Sequence, residues 1–218
     1  MTTNSPKAII FDMDGLLVDS EPVWAIAEEA LLKSYGKQYD EDIQKQLIGL
    51  GTKEFLTRMA AAYGIDAPFE TLRADVIRRM QVLIPQHVVP QPGAVELIKH
   101  TSQRGIPRAI ASSSPMPVIE AVLSSLAWCD IFATRCSGEE VEHSKPAPDV
   151  YLLAAQRLGV APSDCLALED SPTGARAAVA AGMTCYAVPD LSHSTMSDFA
   201  EITPHVFASL HDVLNVLE

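Results

Sequence analysis

Short apolar runs alternate with longer segments of helical periodicity along this chain. The apolar runs predict strands at residues 8–11, 108–111, 131–134, 165–168, 184–188 and 205–207. Helical periodicity fills most of the intervals between them, at residues 93–104, 116–126, 148–158, 172–181 and 210–217. Buried strands that alternate with helices are typical of a parallel sheet covered on both faces. We therefore predict an α/β fold with a doubly wound parallel sheet.

The first strand is followed by a long segment without any strand pattern, from Asp19 to about residue 92. Amphipathic stretches at residues 22–35, 41–47, 53–63 and 69–84 predict helices there. A single crossover is much shorter than this, so the segment predicts a helical cap domain at residues 19–89. The remaining residues, 1–18 and 90–218, form the predicted core. Because ligands bind at the carboxyl ends of such strands, an insertion at that edge would cover the site.

Composition narrows the class of protein. With 218 residues, of which 48% are hydrophobic and 20% charged, the chain is typical of a soluble globular protein. A formal charge of −12 argues against nucleic acids and anionic membrane surfaces as partners. The four cysteines lack metal-site spacing, which favours reduced thiols in or near the core. Residues 1–7 are polar and no apolar stretch approaches membrane-spanning length, so we expect a cytoplasmic protein.

The segment Phe11-Asp12-Met13-Asp14-Gly15 places two carboxylates where a buried strand stops and a glycine allows a sharp turn. One carboxylate can attack an electrophile while the other handles the proton of the leaving group. A calcium-binding loop does not fit, because the residue after Gly15 is a leucine at the next ligand position. Taken alone, the motif is also compatible with two surface aspartates in a turn.

Glu169 and Asp170 follow the predicted strand at 165–168 and should reach the same sheet edge as Asp12 and Asp14. By themselves they could simply begin the next helix, with Ser171 as its cap. Four carboxylates in one small volume repel by roughly 4 kcal/mol per pair at about 4 Å and an effective dielectric of about 20. Such a group would lose charge or hold a cation, and all-oxygen ligands favour Mg²⁺ over zinc.

Two further segments could bind a phosphate. Ser112, Ser113 and Ser114 follow the strand at 108–111, where hydroxyls and free backbone N–H groups suit an anion, although a serine run is also an ordinary helix start. Lys145 lies among prolines that fix the backbone around it. A lysine in isolation is usually a solvated surface charge, but a rigidly presented one suits a developing phosphoryl charge.

The order of these four motifs along the chain closely resembles that of the haloacid dehalogenase superfamily of phosphatases and phosphomutases. The likeness covers nearly the whole chain and lies with the branch that carries a helical cap after the first strand. It implies a Rossmann-like sheet and a Mg²⁺ cofactor. The roles that the resemblance implies are the nucleophile for Asp12, the general acid/base for Asp14, phosphate binding for Ser112, Ser113 and Lys145, and metal binding for Asp12, Asp14, Asp170 and Glu169, the last as a ligand or beside one.

The second aspartate of the first motif indicates phosphate esters, because dehalogenases of the family lack it and an alkoxide leaving group must be protonated. Residues 19–24 and 111–115 look most like those of sugar-phosphate phosphatases. β-Phosphoglucomutase is also similar, notably at residues 144–149 and 168–171. Its cap arginine, in a Gly-x-x-Arg pattern, is replaced here at Gly49-Leu50-Gly51-Thr52, although Lys53 is adjacent. Trp24 and Met116 also replace a histidine and an asparagine of that mutase.

The sequence thus predicts a Mg²⁺-dependent phosphatase that hydrolyses small phosphate monoesters, sugar or sugar-alcohol phosphates, through an aspartyl-phosphate. A β-phosphoglucomutase-like sugar phosphomutase is the alternative, and a catalytically silent phosphate-binding protein is a third possibility. Glu21, Trp24 and Lys53 are candidate substrate contacts from the cap, although Trp24 equally suits the cap core. We expect a monomer whose partner is a small phosphorylated metabolite.

Overall fold

The structure is a computed structural model that describes residues 5–47 and 50–218. Within these ranges the strands are β1 (Ala8–Phe11), β2 (Val18–Asp19), β3 (Val89–Pro90), β4 (Arg108–Ser112), β5 (Thr134–Ser137), β6 (Cys165–Glu169) and β7 (Thr184–Ala187). The helices are α1 (Glu21–Ser34), α2 (Glu41–Lys45), α3 (Thr52–Tyr63), α4 (Phe69–His87), α5 (Ala94–Gln103), α6 (Met116–Ser125), α7 (Asp149–Leu158), α8 (Pro172–Ala180) and α9 (Leu210–Leu217). Residues 1–4 of the predicted core and Gly49 of the segment compared with the mutase lie outside the described residues.

The main sheet has five parallel strands in the order β5-β4-β1-β6-β7. This confirms the predicted α/β fold with a parallel sheet. The first strand of the chain lies at the centre, with β4 on one side and β6 on the other. The carboxyl ends of these three strands are therefore neighbours, and each of them leads into one of the predicted motifs.

Helices cover both faces of this sheet. Alternate residues of β1 point to opposite sides, because successive side chains of a strand do so. Ile9 and Phe11 belong to one buried apolar cluster, which α5, α6 and α9 complete. Ala8 and Ile10 belong to a second cluster, built mainly with α7 and α8. A strand buried on both faces accounts for its unbroken apolar sequence.

The prediction of a strand at residues 131–134 was wrong, because the strand is Thr134–Ser137. The apolar character of the predicted segment has another cause. Phe132 is fully buried in a turn, where its ring packs against Phe11 and Trp128. The true strand is at the edge of the sheet, where polar and half-exposed residues are tolerated, so its sequence does not show an apolar run.

Two other strand predictions need correction. Residues 205–207 do not form a strand, since only Val206 bridges to Ala187 beside β7. The segment from Asp19 to residue 92 does contain a strand, β3, which pairs antiparallel with β2 over two residues each. This pair joins the two ends of the helical segment. Strands this short carry too few residues for an alternating pattern to be recognised.

The predicted helices between β2 and β3 are present as α1 to α4, with α2 shorter than predicted. α4 packs against α1 and also against α6 beneath it. Arg73 of α4 forms a two-pronged ion pair with Glu139, at 2.6 and 2.5 Å, and so ties the helical segment to the loop after β5. The exact division at residues 18/19 and 89/90 stays a prediction.

No helix in the described part of the chain has the length and apolar character needed to cross a bilayer.

Candidate active site

Three carboxylates meet at the carboxyl edge of the central strands. Asp12 directly follows β1, Glu169 is the last residue of β6, and Asp170 comes next. One oxygen from each lies within 4.8 Å of the others. The sequence-based expectation that residues more than 150 positions apart would gather at one edge is therefore met by the geometry, because β1 and β6 are parallel neighbours.

Lys145 lies between two of these acids. Its Nζ donates to Asp12 Oδ1 at 2.5 Å and to Glu169 Oε1 at 2.6 Å. The lysine side chain is only 6% exposed and that of Glu169 is 0% exposed. Charges buried this deeply are tolerated only when they are paired and hydrogen-bonded. The lysine is thus a structural neutraliser as well as a cation placed next to Asp12.

Glu169 is held from several sides at once. Besides Lys145, the Tyr151 hydroxyl donates to its Oε1 at 2.5 Å and the Ser171 hydroxyl donates to Oε2 at 3.2 Å. A side chain at Gly174 would have no room, since a Cβ there would lie 1.9 Å from Glu169 Oε1. The start of α8 therefore needs a glycine at this position to make space for the carboxylate.

Asp14 belongs to a different set of contacts. Its Oδ1 accepts from Ser20 at 2.6 Å, and its Oδ2 accepts from Ser112 at 3.0 Å and Ser114 at 2.9 Å. The Ser114 N–H in turn donates to the Ser112 hydroxyl at 2.9 Å. These hydroxyl donors fix the orientation of the carboxylate, which is not part of the Asp12, Glu169 and Asp170 group.

The turn after β1 depends on Gly15. Its φ of +83° is in the left-handed region that favours glycine. A Cβ at this residue would lie 2.2 Å from Asp170 Oδ2. The glycine predicted to let the chain turn thus also lets the loop approach the acid at the end of β6.

Lys145 alone does not balance the negative charge of Asp12, Glu169 and Asp170. Burial raises the pKa of Asp12 to about 8, with Glu169 and Asp14 adding to the rise and Lys145 opposing it. Burial, together with Asp12 and Glu169, also raises the pKa of Asp170 well above its usual value. Burial would lower the pKa of Lys145, but Asp12 and Glu169 more than offset this and raise it. The ammonium is therefore charged, and the acids need more positive charge than one lysine provides.

The residues present fit a divalent cation at this place. Among the described residues that line the cleft with Asp12 and Asp170, Lys145 is the only lysine or arginine, and a Cβ at Gly15 or Gly174 would overlap the carboxylates of Asp170 and Glu169. Oxygen ligands of this type suit Mg²⁺, which also keeps several waters and binds substrate phosphate. Glu169 already accepts from Lys145, Tyr151 and Ser171, which makes it a support for the group more than a free ligand.

A cleft of about 1110 Å³ opens over this edge, between the sheet and the helices α1 to α4. Asp12, Asp14, Asp170 and Lys145 line it, as does the predicted phosphate-binding residue Ser113. The other predicted phosphate-binding residue, Ser112, is fully buried behind the cleft with its hydroxyl on Asp14.

The predicted cap contacts differ in their positions. Glu21 and Trp24 both line the cleft, and Glu21 faces His193 Nε2 at 3.5 Å across it. Trp24 also packs against the hydrophobic core, so both of its predicted environments are present. Lys53 is exposed on α3 and is not among the described residues that line the cleft.

The sequence interpretation did not assign several residues that the structure brings into the site. They are Ser20, Ser114, Tyr151, Gly174 and Glu28. Ser114 was part of a visible serine run. The others come from helix positions or loop positions whose neighbours are distant in sequence, so no local pattern marks them. Glu28 is the most unusual, since it lines the cleft from α1 and is only 9% exposed, and burial raises its pKa to about 8.

Comparison with known proteins agrees with this site. The sequence model of the family described as haloacid dehalogenase-like hydrolase matches residues 6–182. The chain is 35% identical over 215 residues to a Drosophila melanogaster protein named "Probable pseudouridine-5'-phosphatase", covering 91% of this chain and 92% of that one. It is 36% identical over 184 residues to hexitol phosphatase B of Escherichia coli K12, covering 84% and 83%.

A solved structure is also similar along almost the whole chain. CbbY from Rhodobacter sphaeroides, in complex with phosphate, superposes with a TM-score of 0.86 at 28% identity, over 95% of this chain and 96% of that one. A mutant of the same protein, solved with xylulose 1,5-bisphosphate, gives a TM-score of 0.82 at 27% identity over 94% and 95%.

Gly174→Ala should destabilise the protein and impair the site. In an ordinary helix this change is favourable by about 1 kcal/mol, but here the methyl group would overlap the Glu169 carboxylate. Because a displacement of about 1 Å can cost about 100-fold in rate, we expect a loss of that size in kcat, together with a lower Tm. Gly105→Ala is the control: no atom lies within 4 Å of the added Cβ, and although its φ of +64° should lower Tm through backbone strain, kcat should be unchanged. Equal kcat values for Gly174→Ala and wild type would contradict this account of Glu169.

Glu28→Gln should stabilise the protein in a pH-dependent way. The pKa of Glu28 is about 8 in the folded protein, against 4.5 as its ordinary value. Between these pH values the unfolded chain releases a proton that the folded one keeps, so this group lowers stability as the pH rises. The free energy of urea unfolding of the variant, relative to wild type, should therefore increase from pH 5.5 to pH 8, by on the order of 2 kcal/mol. The exposed cap residue Glu70, changed to Gln, is the control, and an identical pH trend in both variants would contradict the prediction.

Proposed function

The chain belongs to the haloacid dehalogenase-like hydrolase family, and we propose that it is a Mg²⁺-dependent phosphatase of sugar or sugar-alcohol phosphates. One observation carries the proposal. Asp12 lies 2.5 Å from the Lys145 ammonium, beside an independently fixed Asp14, and all three line one cleft. The arrangement supports assigning the roles of nucleophile, acid/base and anion-binding cation to these residues, around a cleft of about 1110 Å³.

The reaction begins with attack of an Asp12 oxygen on phosphorus, which forms an aspartyl-phosphate as the bond to the substrate oxygen breaks. Lys145 stabilises the negative charge of the transferred group and favours the ionised form of Asp12. When bound by Asp12 and Asp170, Mg²⁺ supplies further positive charge for the phosphoryl oxygens.

Asp14 protonates the departing alkoxide in the first step and takes a proton from water in the second. The hydroxyls of Ser20, Ser112 and Ser114 hold its carboxylate in one orientation for both transfers. The water then displaces Asp12 from phosphorus and releases inorganic phosphate. Ser113 lines the cleft from the loop after β4 and, in this proposal, contacts the transferred group.

The lining of the cleft favours hydrolysis over phosphoryl return to a bisphosphate. Lys145 is the only lysine or arginine among the described residues of the lining, which also includes the acidic side chains of Asp19, Glu21 and Asp190. A second phosphate on the substrate would meet these acids without a cap cation. The phosphatase relatives named above support the same choice, and the phosphomutase remains the alternative that the assay below distinguishes.

Asp12→Asn should lower kcat by about 10⁴-fold or more, because the amide cannot act as the nucleophile. The assay is phosphate release in Mg²⁺ from a metabolite panel that includes hexitol, 2-deoxyglucose and pseudouridine phosphates. EDTA should abolish wild-type turnover and Mg²⁺ should restore it. Asp130→Asn, at an exposed residue outside the cleft lining, is the control. Near-wild-type turnover by Asp12→Asn would overturn the proposal, and conversion of β-glucose 1-phosphate to glucose 6-phosphate without phosphate release would favour the mutase.

Asp14→Asn should affect substrates according to their leaving group. An alkoxide needs a proton as it departs and p-nitrophenolate does not, so general acid catalysis of about 10²–10⁴-fold is lost only for the sugar phosphate. With p-nitrophenyl phosphate, rapid mixing should still show a burst of p-nitrophenolate, because formation of the aspartyl-phosphate survives while its hydrolysis is slow. Asp19→Asn, at a nearby cleft carboxylate, is the control. Equal losses in the first step for both substrates would contradict the assignment of Asp14.

A further inference from the structure

The cleft extends well beyond the phosphate-binding end. It continues between the helices α1 to α4, where the walls are partly apolar, with Leu47, Phe55 and Val76 among them. Polar groups interrupt this surface at Glu28, Tyr39 and Gln44. Asp12 and Glu28 thus line the same continuous space from opposite ends. The part of the substrate that carries the phosphate must fit into the portion of the cleft between the helices α1 to α4.

Glu28 is an unusual residue for such a wall. The residue is only 9% exposed, and its carboxyl oxygens, which open only to the cleft, have neither a hydrogen-bond partner nor an ion pair among residues 5–47 and 50–218. The titratable groups of the lining that interact with it electrostatically are Glu21 and Tyr39, and neither supplies a positive charge to neutralise it. Burying a carboxyl without a partner costs more than burying a leucine or methionine of similar size. Packing of α1 therefore does not account for a glutamate at this position.

The charges of the cleft lining limit which chemical group of a substrate could hydrogen-bond to Glu28. A phosphate or carboxylate would have no cation to pair with here, since the described lining offers no cap lysine or arginine for it. A hydroxyl group both donates and accepts hydrogen bonds. A carboxyl that keeps its proton does the same, and the pKa of about 8 for Glu28 keeps it protonated at neutral pH in the free protein. The Tyr39 hydroxyl, which has no hydrogen bond within the described residues, offers a second such group nearby.

We propose that Glu28 is a specificity-determining residue that exchanges hydrogen bonds with a hydroxyl group on the tail of a polyhydroxylated phosphate monoester, with Tyr39 as a further contact. This rests on the proposed phosphatase function and goes further by naming which residue selects the substrate. A site built to hydrogen-bond a hydroxyl discriminates strongly against the analogue that lacks it, because its buried polar group is then left unpaired. The selection is made by the cap and is separate from the chemistry at Asp12.

The test compares two substrates of equal chain length, sorbitol 6-phosphate and n-hexyl phosphate, with Mg²⁺ present. Wild type should prefer the hydroxylated ester by about 100-fold or more in kcat/KM. Glu28→Leu should lower kcat/KM for sorbitol 6-phosphate by about 10- to 100-fold, mainly through KM, and leave n-hexyl phosphate equal or improved. Glu28→Gln, which still donates and accepts, should stay within about 5-fold of wild type on both. Glu70→Leu, at an exposed residue of α4, is the control and should change neither value.

The outcomes separate this inference from the proposed function. Two results would overturn the role of Glu28 and leave the phosphatase proposal intact. In the first, Glu28→Leu keeps the wild-type preference for sorbitol 6-phosphate; in the second, it loses kcat/KM equally on both substrates. A wild type without any preference for the hydroxylated ester overturns the sugar-phosphate assignment and this inference with it. Removal of a buried acid should not lower Tm, and Glu28→Met provides a second apolar variant measured in the same way. Higher activity of wild type on an amino-sugar phosphate than on the hydroxyl equivalent would overturn the choice of a hydroxyl.

Discussion

The arrangement of the site depends on the Lys145 ammonium, which lies between Asp12 and Glu169. It joins the ends of two parallel strands to the loop before α7 and is nearly inaccessible to water. The ammonium opposes the rise that burial causes in the pKa of Asp12, and it pairs with Glu169, because desolvation of an unpaired charge is costly. The bonds from Tyr151 and Ser171, and the missing side chain at Gly174, serve the same pairing by holding Glu169 in place. The fold therefore brings several carboxylates together and leaves Lys145 and a bound cation as the means of neutralising them.

Because these carboxylates are buried close together, this edge of the sheet is an unfavourable environment for their ionised forms. Burial and mutual repulsion raise the pKa values of Asp12 and Asp170, so folding without a cation leaves these groups in an unfavourable state. Natural proteins accept such destabilised clusters where function requires them. Glu28 is a second example, in the cap and remote from the reaction centre. If the proposed roles hold, stability is given up for chemistry at both places.

The sequence indicated the parallel sheet and the meeting of Asp12, Glu169 and Asp170 because both follow from strand order and from the alternation of helices and strands. It did not indicate the strand Thr134–Ser137, whose edge position allows polar residues, and it misplaced that strand onto the apolar turn around Phe132. Contacts such as Tyr151 with Glu169, or the crowding at Gly174, depend on which helix faces reach the site. Sequence spacing carries no information about such faces. Glu28 falls within a regular helical pattern, and only its burial without a partner marks it as unusual.

The two short strands β2 and β3 have a consequence for how such proteins diversify. The chain leaves the core and returns to it through adjacent antiparallel segments, so the covalent connections of α1 to α4 lie side by side, in addition to the packing of α4 on α6 and the Arg73–Glu139 pair. Replacing that whole cassette with one from another protein would leave the register of the central sheet undisturbed. Selectivity could then be exchanged by grafting while the reaction machinery is inherited intact. A connection of only two paired residues per strand thereby makes the chain modular.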